Sequence, residues 1–124
     1  GTVVSAFSAF TLASTDTEVN PLPMKLLSFH AVKKDGGAQL VWETENEVNV
    51  QHYELQRAGA DNIFTTIAIV AANNSLRRNQ YNAPDNAPLP GINYYRLKSV
   101  DLDGSFTFSK TVFLNFSGNS ALQI

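Results

Sequence analysis

The chain has 124 residues, of which 44% are hydrophobic and 16% charged, with a formal net charge of −2 and no cysteine. This length and balance predict one globular domain, and the missing cysteines exclude disulfides, zinc–thiolate sites and thiol nucleophiles. The slightly acidic charge argues against nucleic-acid binding, which needs a basic stripe to displace phosphate counterions. Lys33-Lys34 and Arg77-Arg78 lie in separate polar stretches beside turn residues, which predicts solvated loop charge.

Short runs rich in β-branched and aromatic residues follow one another along the chain, and helical periodicity is nearly absent. Turn signals separate these runs, among them the glycines of 33–37 and the proline-rich stretch 84–91. The predicted strands, in chain order, are 24–32, 38–45, 52–58, 63–71, a short one at Tyr81, 92–100 and 106–116. Seven short strands with frequent turns indicate an all-β, antiparallel β-sandwich.

Alternation within 38–45 places Leu40, Trp42 and Thr44 on one face of a strand. Trp42 is the only tryptophan of the chain, and we expect it at the centre of the core. The residues predicted to surround it are Phe29, Leu40, Tyr53, Leu55, Ile67, Leu97, Phe108 and Val112.

The last two predicted strands are joined at Asp103-Gly104, the pair that a tight hairpin favours because both positions need positive φ. Acidic turns also bind calcium weakly, so Asp101 and Asp103 are weak calcium candidates. An EF-hand would need a bidentate glutamate where this chain has Val112. The sequence therefore predicts a turn at this place and no cofactor.

Glu43 and Glu45 lie two apart on one strand, so their carboxylates would be about 7 Å apart, within the range of an inverting glycosidase pair. They alternate with Trp42, however, and should face solvent instead of a cleft that could raise one pKa. His30 and His52 lack a third ligand at a spacing that would hold zinc. The sequence thus predicts no catalytic residue, no metal site and no enzyme activity.

The run "LVWETENEVNVQHYELQR" followed by "LPGINYYRLKSVDLDG" resembles the fibronectin type III and immunoglobulin-like group. The resemblance implies a tyrosine corner, in which a tyrosine hydroxyl ties the start of the sixth strand to an upstream backbone group. Spacing from "LPG" favours Tyr94 for this role, whereas inward alternation with Leu97 favours Tyr95.

The order of motifs also resembles a module of secreted Bacteroidetes proteins that precedes a type IX secretion C-terminal sorting domain. This resemblance implies a lead-in at 1–22 from an upstream domain, a sandwich at 23–117 and a linker at 118–124 toward a sorting domain. It also implies export through the outer membrane to the cell surface or the exterior. No membrane span is predicted, because the longest aliphatic run, 67–72, is far too short.

The function that these observations favour is a non-catalytic, monomeric accessory module that spaces or presents neighbouring domains of the same chain. The rival hypothesis is an adhesive module that binds polysaccharide or a surface protein. Exposed aromatic rings would carry such binding, because their flat faces stack on sugar rings. The candidates are whichever of Tyr94 and Tyr95 faces outward, together with Phe113.

Overall fold

The computed structural model describes residues 23–116, which form eight β-strands in two antiparallel sheets. The strands are β1 (Lys25–Lys34), β2 (Gly37–Glu45), β3 (Val50–Ala58), β4 (Thr65–Ala71), β5 (Asn79–Asp85), β6 (Ile92–Asp101), β7 (Phe106–Phe108) and β8 (Val112–Asn115). One sheet has the order β1-β2-β5, and the other runs β4-β3-β6, with β7 and β8 both paired to β6. The predicted lead-in at 1–22, the linker at 118–124 and residue 117 lie outside the described residues.

The two sheets enclose one hydrophobic core, because strands from both of them contribute alternate apolar residues to it. Trp42 of β2 is fully buried; its ring stacks on Tyr81 of β5 at 5.6 Å and meets Tyr53 of β3 edge-on at 5.9 Å. Leu40, Leu55 and Leu97 are also fully buried in this core. The prediction of an all-β, antiparallel sandwich is therefore confirmed at the level of two facing sheets.

The predicted strand 106–116 is in fact two strands, which gives eight strands in the described part of the chain instead of the predicted seven. Phe108 pairs with Lys98 and Val112 pairs with Tyr95. Four residues along this segment therefore lie opposite three residues of β6. The extra residue reverses which side chains face the core. The prediction that Phe108 lies in the core is wrong, since its side chain is 45% exposed on the outer face.

The Asp-Gly pairs occupy two different kinds of turn. Asp35 and Gly36 both have positive φ, 53° and 81°, and form the two-residue loop between β1 and β2. Between β6 and β7 only Gly104 has positive φ, at 91°. There the Gly104 amide donates to the Asp101 carbonyl, and the Asp101 amide donates to the Ser105 carbonyl. We expected both Asp103 and Gly104 to have positive φ in a two-residue turn. The structure instead has a three-residue loop, 102–104, in which only the last residue, Gly104, is left-handed.

Candidate functional site

The two adjacent tyrosines of β6 face opposite sides of the sheet. Tyr95 is fully buried, and its hydroxyl donates to the Asp85 carboxylate at 2.8 Å. Tyr94 lies on the outer face beside Phe113, with 6.3 Å between the ring centroids. The inward tyrosine is therefore Tyr95, and its hydroxyl contacts an upstream side chain where the fibronectin-like resemblance implied a backbone group.

Asp85 is a buried carboxylate, and every contact found for it is structural. Its two oxygens accept from Arg57 Nη1 at 2.9 and 3.1 Å, and one also accepts the Ala87 amide at 3.2 Å. Burial first, and the hydrogen bond to the Asp85 carboxylate second, raise the pKa of the Tyr95 hydroxyl well above its ordinary value. Arg57, Asp85 and Tyr95 together link β3, β5 and β6, as the members of a structural ion pair do.

A second buried carboxylate, Glu47, lies between the ends of the two sheets and is only 1% exposed. It accepts hydrogen bonds from the hydroxyls of Thr44 (2.6 Å), Tyr53 (2.5 Å) and Tyr81 (2.8 and 2.9 Å) and from the Asn74 amide (2.8 Å). Burial by itself would raise the pKa of Glu47, but these donors together lower it below the usual 4.5. We call Glu47, Thr44, Tyr53, Asn74 and Tyr81 the Glu47 cluster.

The loop that carries Asn74 is held against the loop that carries Glu47. Asn74 has a positive φ of 56°, and its side-chain amide pairs with both the N–H and the C=O of Val50, at 2.9 and 2.8 Å. The amide of Glu47 in turn donates to the Ser75 carbonyl. The side-chain polar atoms of the cluster are thus all hydrogen-bonded within the chain at one end of the sandwich.

Sequence reasoning did not identify the Glu47 cluster, because Glu47 lies in a polar loop that resembles a solvent-exposed turn. A signal was nevertheless present in the inward-facing Tyr53. A buried tyrosine hydroxyl needs a hydrogen-bond partner, and no apolar neighbour of Tyr53 could supply one.

The carboxylates and imidazoles weighed as catalytic or metal-binding candidates do not come together. Glu43 accepts from Gln80 Nε2 at 2.6 Å on the outer face of β2, and its neighbour Glu45 is likewise partly exposed. His52 contacts Glu54 at 3.0 Å on the other sheet, and His30 is exposed on β1. Within residues 23–116, no three His, Cys, Asp or Glu side chains are grouped as a metal site would require.

The weak calcium candidates are engaged in the turn between β6 and β7. Asp103 Oδ1 accepts from the Ser105 amide at 2.9 Å and from the Ser105 hydroxyl at 2.6 Å. These hydrogen bonds from Ser105 lower the pKa of Asp103. Asp101 Oδ2 accepts from the same hydroxyl at 3.4 Å, so the two carboxylates share an internal donor.

Exposed aromatic rings collect on the outer face of the larger sheet. Three rings are exposed on β7 and β8, the two short strands that pair with β6. They belong to Phe106 (51% exposed), Phe108 (45%) and Phe113 (62%). The sequence singled out for this face Phe113 and whichever of Tyr94 and Tyr95 points outward, which is Tyr94. It did not single out Phe106 and Phe108, because an unbroken last strand would have turned them inward.

No family model matches the chain, and no curated protein matches it. A solved structure of pectate lyase Pel3 from Pectobacterium carotovorum is similar to it, with a TM-score of 0.51 and 22% sequence identity. The match covers 73% of this chain and 26% of that one, so the chain spans about a quarter of that structure's length. The likeness concerns the fold alone and favours neither a catalytic nor a non-catalytic role. No helix among residues 23–116 is long and apolar enough to cross a membrane.

Proposed function

We propose that the chain is a non-catalytic accessory module of a secreted or cell-surface bacterial protein, which spaces or presents neighbouring domains. The module has a fibronectin type III or immunoglobulin-like fold in this proposal, is monomeric, and is exported by the type IX route. The strand order supports the fold assignment, because a three-stranded sheet β1-β2-β5 faces a sheet built on β4-β3-β6.

The observation that carries the proposal is the state of the two buried carboxylates. Glu47 and Asp85 are the only buried carboxylates among the described residues, and each is surrounded by donors of the chain itself. A catalytic acid or base needs a partner atom on a substrate in a cleft. A surface depression of about 590 Å³ lies near Met24 and Leu76; the partly exposed Glu45 lines it, whereas the buried Glu47 and Asp85 do not.

The similar solved structure supports a modular arrangement, because the matching region is about a quarter of a longer chain. That protein is named as a pectate lyase, which makes pectate cleavage the first activity to assay. We expect no cleavage product from this chain on polygalacturonate.

The test uses the full-length gene product. Replacing residues 23–116 with a flexible linker should lower secretion of the protein or the activity of its neighbouring domains. Replacing them with an unrelated sandwich domain of equal size should restore both, because a spacer acts through its dimensions and rigidity. Turnover of any polysaccharide by the isolated chain, or an unaffected linker variant, would contradict the proposal.

The adhesive role is the second candidate, and one observation favours it. Phe106, Phe108 and Phe113 expose their rings on a single sheet face, whereas isolated exposed rings would need no explanation. The two roles are compatible, since a module can space its neighbours and also bind a ligand.

A further inference from the structure

The outer face of the larger sheet holds a cation between two aromatic rings. The Arg96 guanidinium carbon lies 4.0 Å from the ring centroid of Phe64 and 3.9 Å from that of Phe108. Lys98 Nζ lies 4.2 Å from the ring centroid of Phe106, which meets Phe108 edge-on at 5.4 Å. We call these five residues the aromatic–cation face.

Arg96 is fixed in orientation and still has donors to offer. Its Nε donates to Gln56 Oε1 at 2.8 Å, and the two rings hold its plane from either side. No hydrogen bond from its terminal nitrogens is found within residues 23–116. A planar guanidinium held in this way presents its terminal N–H groups as a fork that matches a carboxylate, with little ordering left to be done on binding.

The centre of this face carries two cations. Arg96 and Lys98 lie two residues apart on one side of β6, so their backbones are roughly 7 Å apart. Glu54 pairs with Lys98 across the strands and carries the opposing charge at this point. Its carboxylate already accepts from His52 at 3.0 Å and from Thr66 at 3.0 Å. At the centre of the face an anionic ligand therefore meets two cations and one carboxylate that is already hydrogen-bonded.

The rings extend the face along β6. Phe106 pairs with Val100 at one end, and Phe113 pairs with Tyr94 at the other. Six residues of strand separate these two points, which is roughly 20 Å. An elongated ligand with flat apolar faces and regularly spaced anionic groups fits this surface better than a small anion does.

We propose that the aromatic–cation face binds a carboxylated polysaccharide, that is, a glycan built of uronic acids. The sugar rings would stack on Phe106 and on the Tyr94–Phe113 pair, and a ring carboxylate would accept from Arg96 with Lys98 beside it. An acidic peptide would satisfy the two cations but would leave the row of rings without flat partners. The site does not depend on the spacing role; it rests on the adhesive role, to which it gives a class of ligand.

The experiment measures binding of alginate, a polyuronate, by affinity gel electrophoresis and by calorimetry with alginate oligosaccharides. Dextran serves as the neutral polymer and polyglutamate as the acidic peptide. We expect binding to alginate that weakens as sodium chloride rises, and no binding to dextran. Arg96→Gln should weaken alginate binding by at least about tenfold, the equivalent of one lost charge-assisted contact.

Arg77→Gln is the matched control, because it makes the same charge change in the loop before β5, away from this face. It should change alginate binding by less than about twofold. Arg96→Lys keeps the charge but loses the fork, and it should lie between the two. Lys98→Gln and Phe106→Ser, the second at a residue that is 51% exposed, alter other parts of the face and carry the test if Arg96→Gln does not fold.

Three results would overturn the proposal. The first is the absence of alginate binding at low salt, and the second is equal loss in the Arg77 and Arg96 variants, which would indicate unspecific charge. The third is tighter binding of polyglutamate than of alginate, which would assign the face to an acidic peptide instead. Thermal unfolding of each variant separates these outcomes from loss of structure.

Discussion

The Tyr81 hydroxyl donates to both oxygens of Glu47, at 2.9 and 2.8 Å, although 34 positions separate the two residues. The same hydroxyl accepts the Asn73 amide at 2.9 Å. One buried contact therefore fixes the loop after β2, the loop after β4 and strand β5 relative to one another. The stability of this end of the sandwich should depend on that carboxylate more than on any surface ion pair.

We expect Glu47→Gln to lower the free energy of unfolding by about 2–4 kcal/mol. The amide keeps the shape of the side chain, but it removes the charge and points two hydrogens at hydroxyls that are already donors. Urea denaturation at neutral pH measures the loss. Glu45→Gln, two residues away and partly exposed, is the control and should change stability by less than about 0.5 kcal/mol. Equal effects of the two substitutions would show that the Glu47 cluster does not stabilise the fold.

The same carboxylate predicts how stability changes in acid. The pKa of Glu47 is lower in the folded chain than the 4.5 of the free side chain, so the unfolded chain takes up the proton first as the pH falls. The stabilisation is therefore present above pH 4.5 and is lost as the pH falls through the folded pKa. Urea midpoints measured from neutral pH downward should fall less steeply for Glu47→Gln than for the natural chain. Parallel curves would contradict this prediction.

Three buried tyrosines predict that the stability of the fold also decreases at alkaline pH. Burial, and then the neighbouring carboxylate, raise the pKa values of Tyr53 and Tyr95, while that of Tyr81 is raised to about 12 mainly by burial. The unfolded chain loses these protons near 10, so stability should fall as the pH rises above that value. Near-ultraviolet absorbance should show these tyrosines ionising together with unfolding. Their ionisation near pH 10 in a chain that stays folded would refute the assignment.

Asp85 provides a further test, because it joins three strands. Asp85→Asn should lower the free energy of unfolding by about 2–4 kcal/mol, since the Arg57 guanidinium would lose its charged partner in a largely buried position. Tyr95→Phe removes one hydroxyl contact of the same carboxylate and should lower it by about 1 kcal/mol. Asp61→Asn, in an exposed turn, is the control and should be nearly neutral. A loss for Asp85→Asn no larger than that control would mean that the ion pair contributes nothing.

The alternation of apolar and polar residues predicted the core well, because a period of two leaves only two ways to orient a strand. Leu40, Trp42 and Thr44 are all buried, and the intervening side chains are partly exposed. The prediction that Phe108 is buried was wrong, because alternation of the two faces holds only while the strand is unbroken. The Ser109 hydroxyl accepts the Leu97 amide at 2.9 Å, so a side chain takes the place of a ladder contact there. A single serine between two apolar runs does not predict a strand break from the sequence.

The Glu47 cluster and the stacking of Arg96 in the aromatic–cation face were not predictable from the sequence, for a different reason. Both depend on contacts between side chains of different elements, such as Arg96 of β6 with Phe108 of β7, and Glu47 of the loop after β2 with Asn74 of the loop after β4. Local patterns report which face a residue occupies but not which partner lies beside it. The same limit explains why one Asp-Gly pair forms a two-residue loop and the other a longer one.

A close approach between Gly37 of β2 and the end of β5 gives the last prediction. A Cβ added at Gly37 would lie 2.5 Å from the Asp85 carbonyl oxygen and 3.4 Å from the Asn86 Cα, both of them backbone atoms. Gly37→Ala should therefore lower the free energy of unfolding by about 1–3 kcal/mol, because the strand pair must separate to admit the methyl group. Gly59→Ala is the matched control, since its Cβ would meet only the movable end of the Leu89 side chain, at 2.9 Å. Its loss should stay below about 1 kcal/mol. Urea denaturation of both variants decides the matter: an equal loss would mean that β2 and β5 are not held this closely in solution.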